Sequence, residues 1–353
     1  MIPLSHAQQR LWFHARDGAD GALYHIPVGL RLRGALDRPA LRAALADVSG
    51  RHEALRTVFP DEAGRPHQRV LEPADAAPVL TVTDCPPAER ARRAEEASSR
   101  PFDLRSEPPL RADLFTDGAE DHYLLLVLHH IAGDGHSVHV LVRDLAAAYT
   151  ARCAGRPPEW PELPVQYPDY ALWQRELLGP AEDPASLHGR LLTHWAAVLD
   201  GLPEELALPA DRPRPAVAGH RGALVEARTG AAAHAGLAAL AQSARATPFM
   251  AVQAAFAALL TRLGAGTDLP LGCPVDGRDD EALTDLVGLF VNTLIVRADT
   301  SGDPTFTELL GRVRAAALET YAHQELPFDS LVERLNPARS PARHPLFQVA
   351  VSA

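Results

Sequence analysis

With 353 residues, 46% hydrophobic and 22% charged, the chain has the composition of a soluble globular protein and the length of two domains or one two-lobed unit, which excludes the fibrous and disordered classes. A formal charge of −11 without any basic run argues against nucleic acid or an anionic membrane surface as the main partner. All 34 basic residues are arginine, which excludes a Schiff-base lysine and a Walker-type phosphate lysine.

From the N-terminus, "SHAQQRLWF" places Ser5 three residues before Gln8, a capping-box pattern that opens a helix with Leu11 and Trp12 facing inward. The same segment lacks the charged and apolar regions of a secretory leader, and no apolar run approaches 18 residues, so a cytoplasmic location is expected. "YHIPVGLRLRG" reads as a strand and "DRPALRAALADVSG" as a helix capped by Asp37, with Leu41, Leu45 and Val48 on one face. "RHEALRTVF" is a helix end running into a strand, 86–99 a charged and solvated helix, and "HYLLLVLHH" a strand buried on both faces. Val138, Leu141, Val142, Leu145 and Tyr149 then recur at helical spacing, so a helix is expected from about Ser137.

Five prolines between 156 and 168 break regular structure, and a second irregular stretch spans 202–222, on either side of helices at "DYALWQRELL" and "LLTHWAAVL". The boundary between lobes is placed there, giving 1–170 and 171–353. The second part is expected to hold a strand at "ALVEART" (223–229), helices at 233–245 and from Thr247 as N-cap, strands at "DLPLGCPV" and "GLFVNTLIVR", a helix over 304–323, and a strand at "LFQVAVS". Strands and helices mix in both parts, which indicates an α/β-type (α+β sandwich) fold. Cys85, Cys153 and Cys273 are widely spaced and odd in number, so they read as buried or inert thiols.

The candidate chemistry lies in "LLLVLHHIAGDGHS", where a core strand meets a turn. If His129 and His130 are both extended they point to opposite faces, so only one can serve a given cavity as general acid or base. Asp134 would orient an imidazole or hold an arginine, and Gly135 would supply either a positive φ or room for a substrate backbone. A neutral imidazole is suited to take a proton from an attacking amine or hydroxyl near pH 7. A metal site made from His129, His130, Asp134, His136 and His139 is the rival, weakened by the divergence of adjacent histidines and the want of an obvious third ligand. The plain alternative is that two histidines at a strand end are merely satisfied polar residues.

Seven motifs in order, "LSHAQQRLWF", "RHEALRTVF", "HHIAGDGHS", "YPDYALW", "VGLFVNTLIVR", "HQELPFDSLVERL" and "ARHPLFQV", make the chain resemble the condensation domains of nonribosomal peptide synthetases along nearly its whole length. The resemblance implies two chloramphenicol-acetyltransferase-like lobes in a V, with a tunnel that two carrier proteins enter from opposite faces. Their phosphopantetheine arms would bring an acyl or peptidyl thioester and an aminoacyl acceptor to the motif. His130 would position or deprotonate the acceptor amine with His129 in support, Asp134 would pair with Arg278 of the second lobe, and the Gly135 N–H would help hold the oxyanion. No cofactor is expected on the chain itself. Its partners would be the donor and acceptor carrier proteins, with an adenylation domain adjacent in the parent protein.

Asn292, a polar residue on an apolar strand, is a candidate tunnel-lining residue. Arg10 and Arg56 read as structural ion-pair residues, Tyr170 and Trp173 as core packing, and "HQELPFDSL" as ordering a helix end. His136, where the family often has an aromatic or aliphatic residue, would alter acceptor fit or add a titrating group. The family's second lobe normally continues beyond the equivalent of "PLFQVAVSA", so that lobe is expected to be incomplete. Alternatives to amide-bond formation are an epimerisation or ester-forming domain, or a non-catalytic domain that only docks carrier proteins. A free-standing CoA-dependent acyltransferase is disfavoured because the synthetase-type motifs run through both lobes.

Overall fold

The computed structural model describes residues 1–16, 21–219, 222–338 and 340–352, so part of the irregular stretch expected at 202–222 lies outside the described residues. The chain divides into two compact units, Met1–Leu177 with Arg278–Val291, and Leu178–Gly277 with Asn292–Ala353. The first unit thus runs past residue 170, and it includes a segment from the second half of the sequence. The reason is chemical: the buried guanidinium of Arg278 is held by Asp134.

In the first unit, β1 (Ile2–Pro3) leads into α1 (His6–Arg16), β2 (His25–Arg33) and α2 (Arg38–Arg51). Three short strands follow, β3 (Thr57–Val58), β4 (Asp61–Glu62) and β5 (Arg65–Val70), which with β1 form a small sheet around β5. Then come β6 (Leu80–Asp84), α3 (Pro87–Ser98), β7 (Leu110–Asp117), β8 (Asp121–His129), α4 (Gly135–Cys153) and α5 (Tyr167–Leu178). The main sheet has the order β2-β8-β7-β6, antiparallel except for the β6–β7 pair, and its register sets His25 opposite His129.

Several local signals do what the sequence implies. Ser5 and Gln8 cap α1 reciprocally, the Ser5 N–H donating to Gln8 Oε1 (3.0 Å) and the Gln8 N–H to Ser5 Oγ (3.1 Å), and Leu11 and Trp12 are buried. Asp37 accepts the Ala40 N–H at 2.9 Å and caps α2. The 124–128 run of β8 is fully buried. Arg56 pairs with Glu53 at 3.1 Å. One expectation fails here: Trp173 is half-exposed, while Tyr170 packs 4.6 Å from the Phe290 ring; of the cysteines, Cys85 and Cys273 are buried and Cys153 is exposed. Trp173 lies about 60° around α5 from Tyr170, enough to carry it off the buried stripe.

The second unit contains α6 (Leu187–Val198), α7 (Ala231–Ser243), α8 (Pro248–Arg262), β9 (Asp268–Val275), β10 (Asn292–Asp299), α9 (Phe306–Tyr321), α10 (Phe328–Leu335) and β11 (Val349–Ala350). Its sheet has the order β10-β9-β11. Thr247 caps α8 and a Thr305–Glu308 capping box starts α9. The expected strand at 223–229 does not form: these residues have no partner strand, and Leu224 and Val225 are almost fully exposed. The strand expected from residue 288 begins only at Asn292, because the backbone of 288–290 is bonded to side chains instead of a neighbouring strand. Among the described residues no helix is long and apolar enough to cross a membrane.

One close approach carries a prediction. A Cβ at Gly288 would lie 2.1 Å from Cδ2 of Tyr167 and 2.7 Å from Cε2 of Phe290. Both rings are buried, so Gly288→Ala should destabilise the protein by about 1–3 kcal/mol or more. The check is the urea midpoint, and an unshifted midpoint would mean that this packing yields without cost.

Candidate active site

The motif turn begins where β8 stops. His129 is the last strand residue, and His130 opens a single 3₁₀ turn, His130–Ala132, instead of remaining extended. Alternation along a strand therefore does not separate the two histidines; the turn does. The His130 N–H donates to the Tyr24 carbonyl at 2.8 Å, and Gln8 Nε2 donates to the Ile131 carbonyl at 3.4 Å, so the capping residue of α1 also supports the turn.

The two imidazoles differ in every respect that matters for proton transfer. His129 is 4% exposed, and its Nδ1 accepts the Ile131 N–H at 3.1 Å. Burial first, then the neighbouring His25, His130 and Arg111, lower its pKa to about 3, so it is neutral at any ordinary pH. His130 is half-buried, and its Nδ1 lies 2.8 Å from the Gly133 carbonyl. Since a carbonyl only accepts, Nδ1 of His130 carries the proton in the neutral ring and Nε2 keeps its lone pair. That is the tautomer a general base needs.

The depressed pKa of His129 makes stability depend on pH. The unfolded chain binds a proton near pH 6.5 that the folded chain refuses until about pH 3, so this contribution is complete above 6.5 and is lost as pH falls. Between pH 7 and pH 5.5 the wild type should lose about 1 kcal/mol more than His129→Gln does. Urea titrations at the two pH values measure this, and parallel losses would contradict it.

Asp134 is the N-cap of α4, which begins two residues earlier than the helical spacing alone suggested. Its side chain is 3% exposed and that of Arg278 2%, and the two are joined by a pair of bonds, Nη1 to Oδ2 at 2.9 Å and another Nη2 to Oδ1 at 3.0 Å. The carboxylate also accepts the Ser137 N–H (2.9 Å), the Ser137 hydroxyl (2.8 Å) and the Phe290 N–H (2.9 Å). Burial alone would raise the Asp134 pKa, but the Arg278 bonds and charge together with the backbone donors outweigh it and hold the carboxyl below its usual range. Arg278 also lies over the Phe290 ring at 4.2 Å. Of the two sequence-level options, the arginine partner is the one present, and Asp134 makes no bond to either histidine.

Ser137, Gly288, Phe290 and Tyr167 complete this network and were not singled out by the sequence. Ser137 Oγ accepts the Gly288 N–H (3.1 Å) and an Arg278 N–H (3.0 Å), while the Tyr167 hydroxyl donates to the Leu289 carbonyl at 2.7 Å and sits 2.8 Å from Ser5 Oγ. Desolvation pushes the Tyr167 pKa well above its ordinary value, which keeps it a donor. An N-cap aspartate three residues before a serine was a readable signal for Ser137.

Gly135 is the first residue of α4, exposed, without a positive φ, and open space would surround a Cβ there. The positive-φ option therefore falls and the access option remains. Its N–H, at the first helical position, lies outside the intrahelical ladder and at the positive end of the dipole. His136 Nε2 donates to the Thr284 carbonyl at 2.9 Å, within the same unit. Asp134 is taken up by Arg278, and among the described residues those of the rival metal site do not gather as a group of possible ligands. Asn292 is in the second unit, with Nδ2 donating to the carbonyls of Gln324 (2.8 Å) and Leu326 (2.7 Å) and Oδ1 accepting the N–H groups of Thr293 and Phe328. Three of its four amide bonds thus serve the chain at 324–328, and the fourth the neighbouring Thr293.

The class defined by these units and this turn is the mixed α/β fold of condensation domains: the fold matches the solved condensation domain of the monacolin K polyketide synthase MokA with a TM-score of 0.84 at 22% identity, covering 99% of this chain and 80% of that one. The family model "Condensation domain" matches residues 1–353, and the chain belongs to that family. It is 54% identical over 352 residues to "Probable non-canonical nonribosomal peptide synthetase (NRPS) CymA" of Salinispora arenicola, and 53% identical over 352 residues to the "Dimodular nonribosomal peptide synthase" of Bacillus subtilis. These alignments take in 100% and 99% of this chain but only 4% and 15% of the relatives' lengths. The X-domain from teicoplanin biosynthesis superposes with a TM-score of 0.91 at 42% identity, over 99% of this chain and 76% of that one.

Proposed function

We propose that the chain forms an amide bond between two carrier-borne substrates, an acyl or peptidyl thioester and an aminoacyl acceptor. The observation that carries this reading is the half-buried His130 with Nδ1 committed to the Gly133 carbonyl and Nε2 left as the basic nitrogen. An α-ammonium loses its proton near pH 8, so a neighbouring imidazole generates the attacking amine at little cost. The C–N bond forms as the amine attacks the thioester carbon, the amine proton passes to His130 Nε2, and the C–S bond breaks with that proton returning to the leaving thiolate. The Gly135 N–H at the start of α4 supplies a donor for the transient oxyanion. Asp134 and Arg278 act as positioning residues that fix the start of α4, and His129 holds the turn from inside the strand end. Much of the rate comes from holding amine and thioester together, as the thioester is already reactive towards amines. The phosphopantetheine arms belong to the carriers, and an adenylation domain elsewhere in the same synthetase would load them.

A second reading is supported by one observation: the X-domain, to which this chain is so similar, has also been solved as a complex with OxyB. On that reading the fold docks partner proteins without transferring an acyl group. Single-turnover incubation with a loaded donor and a loaded acceptor carrier decides between them. Amide product on the acceptor supports condensation, whereas binding without product supports docking.

A further inference from the structure

Away from the motif turn, the second unit gathers His194 of α6, Glu319 in the last turn of α9, and His323 two residues beyond that helix. Each has a ligand atom within 4.8 Å of the others, and this is the sole group of three or more such residues among the described ones. Glu319 Oε1 lies 3.6 Å from His194 Nε2 and 3.8 Å from His323 Nδ1. Around a tetrahedral zinc ion, ligand atoms lie about 3.3 Å apart, so the two carboxylate–imidazole separations must close by about half an ångström and the nitrogen–nitrogen separation, within 4.8 Å, by up to about 1.5 Å.

The frame that holds them is firm. Trp195, next to His194 and itself buried, donates its indole N–H to the His323 carbonyl at 3.0 Å, tying α6 to the end of α9. The His323 Nδ1, the nitrogen that faces Glu319, also lies 2.9 Å from the Glu319 backbone carbonyl, so ligation through it exchanges that hydrogen bond for the metal. The two rings are stacked, 3.6 Å between centroids and 11° from parallel, so one ring must turn for both in-plane lone pairs to meet at a single cation.

We propose that His194, Glu319 and His323 form a site for a divalent transition-metal cation of the zinc type, with two imidazoles and one carboxylate as ligands and the remaining position open to water. The donor set suits zinc or cobalt over magnesium or calcium, which prefer all-oxygen shells. Bound there, the cation would clamp α6 to the end of α9, next to the 324–328 segment anchored by Asn292.

The test is a titration of the chelator-stripped chain with Co²⁺, read by its visible d–d absorption, followed by displacement with Zn²⁺. One saturating equivalent per chain is expected, with tetrahedral-type bands, weakened at least about 10-fold by His194→Ala and by Glu319→Gln and unchanged by His139→Ala. Zinc should also raise the melting temperature of the wild type but not of the two ligand variants. Glu319 is exposed, so Glu319→Gln keeps the fold and decides the matter if His194→Ala does not fold. Absence of a saturable equivalent, or binding that both ligand variants retain in full, would overturn the site.

Discussion

Arg278→Ala is expected to cost about 3–5 kcal/mol of stability, the loss typical of removing one partner from a buried ion pair. Its guanidinium is 2% exposed and donates to both oxygens of Asp134, to Ser137 and to backbone carbonyls of the 286–288 segment. Without it, the Asp134 carboxylate stays buried with only neutral donors. Arg278→Lys should recover only part of the loss, since an ammonium cannot span both carboxylate oxygens. Chemical denaturation measures all three proteins, and an Arg278→Ala midpoint close to the wild type would show that the start of α4 does not depend on this pair.

His130→Ala should lower single-turnover amide formation by about 10²–10⁴-fold, the usual contribution of a positioned acid–base group, while leaving the melting temperature near that of the wild type. The stability expectation follows from the half-buried ring, whose side chain makes one bond, to Gly133. Loss of product from a folded variant supports proton transfer. Activity that survives the substitution removes that role and leaves positioning of the substrates as the source of rate.

Local chemistry made much of the fold legible. The Ser5–Gln8 capping box, the Asp37 and Thr247 caps, and the apolar run of 124–128 all depend on residues a few positions apart. Where elements end was not legible when the deciding partner is remote. His130 leaves β8 in a turn whose Ile131 carbonyl is held by Gln8, 123 residues away, and Asp134 at the start of α4 is fixed by Arg278, 144 residues on. The apolar stretch at 288–291 has strand-like residues, but Ser137, Asp134 and Tyr167 take the bonds a strand would give a neighbour. Asn292 was a polar residue in need of partners, and nothing nearby in sequence indicated that three of its four bonds would go to the backbone of 324–328.

Within the site, that His129 and His130 have different surroundings could be read from adjacency at a strand end, although by a different route from the one the structure takes. The pairing of Asp134 with Arg278 rested on the family resemblance, since no spacing rule joins positions so far apart.

Transfer itself is the most direct test: a single-turnover reaction of the wild-type chain with an acyl-loaded donor carrier and an aminoacyl-loaded acceptor carrier, quenched and read by mass spectrometry of the acceptor arm. Amide product on the acceptor, with equal loss of thioester from the donor, is the predicted result. Donor and acceptor recovered unchanged from a folded chain that binds both carriers would contradict condensation and leave a docking domain.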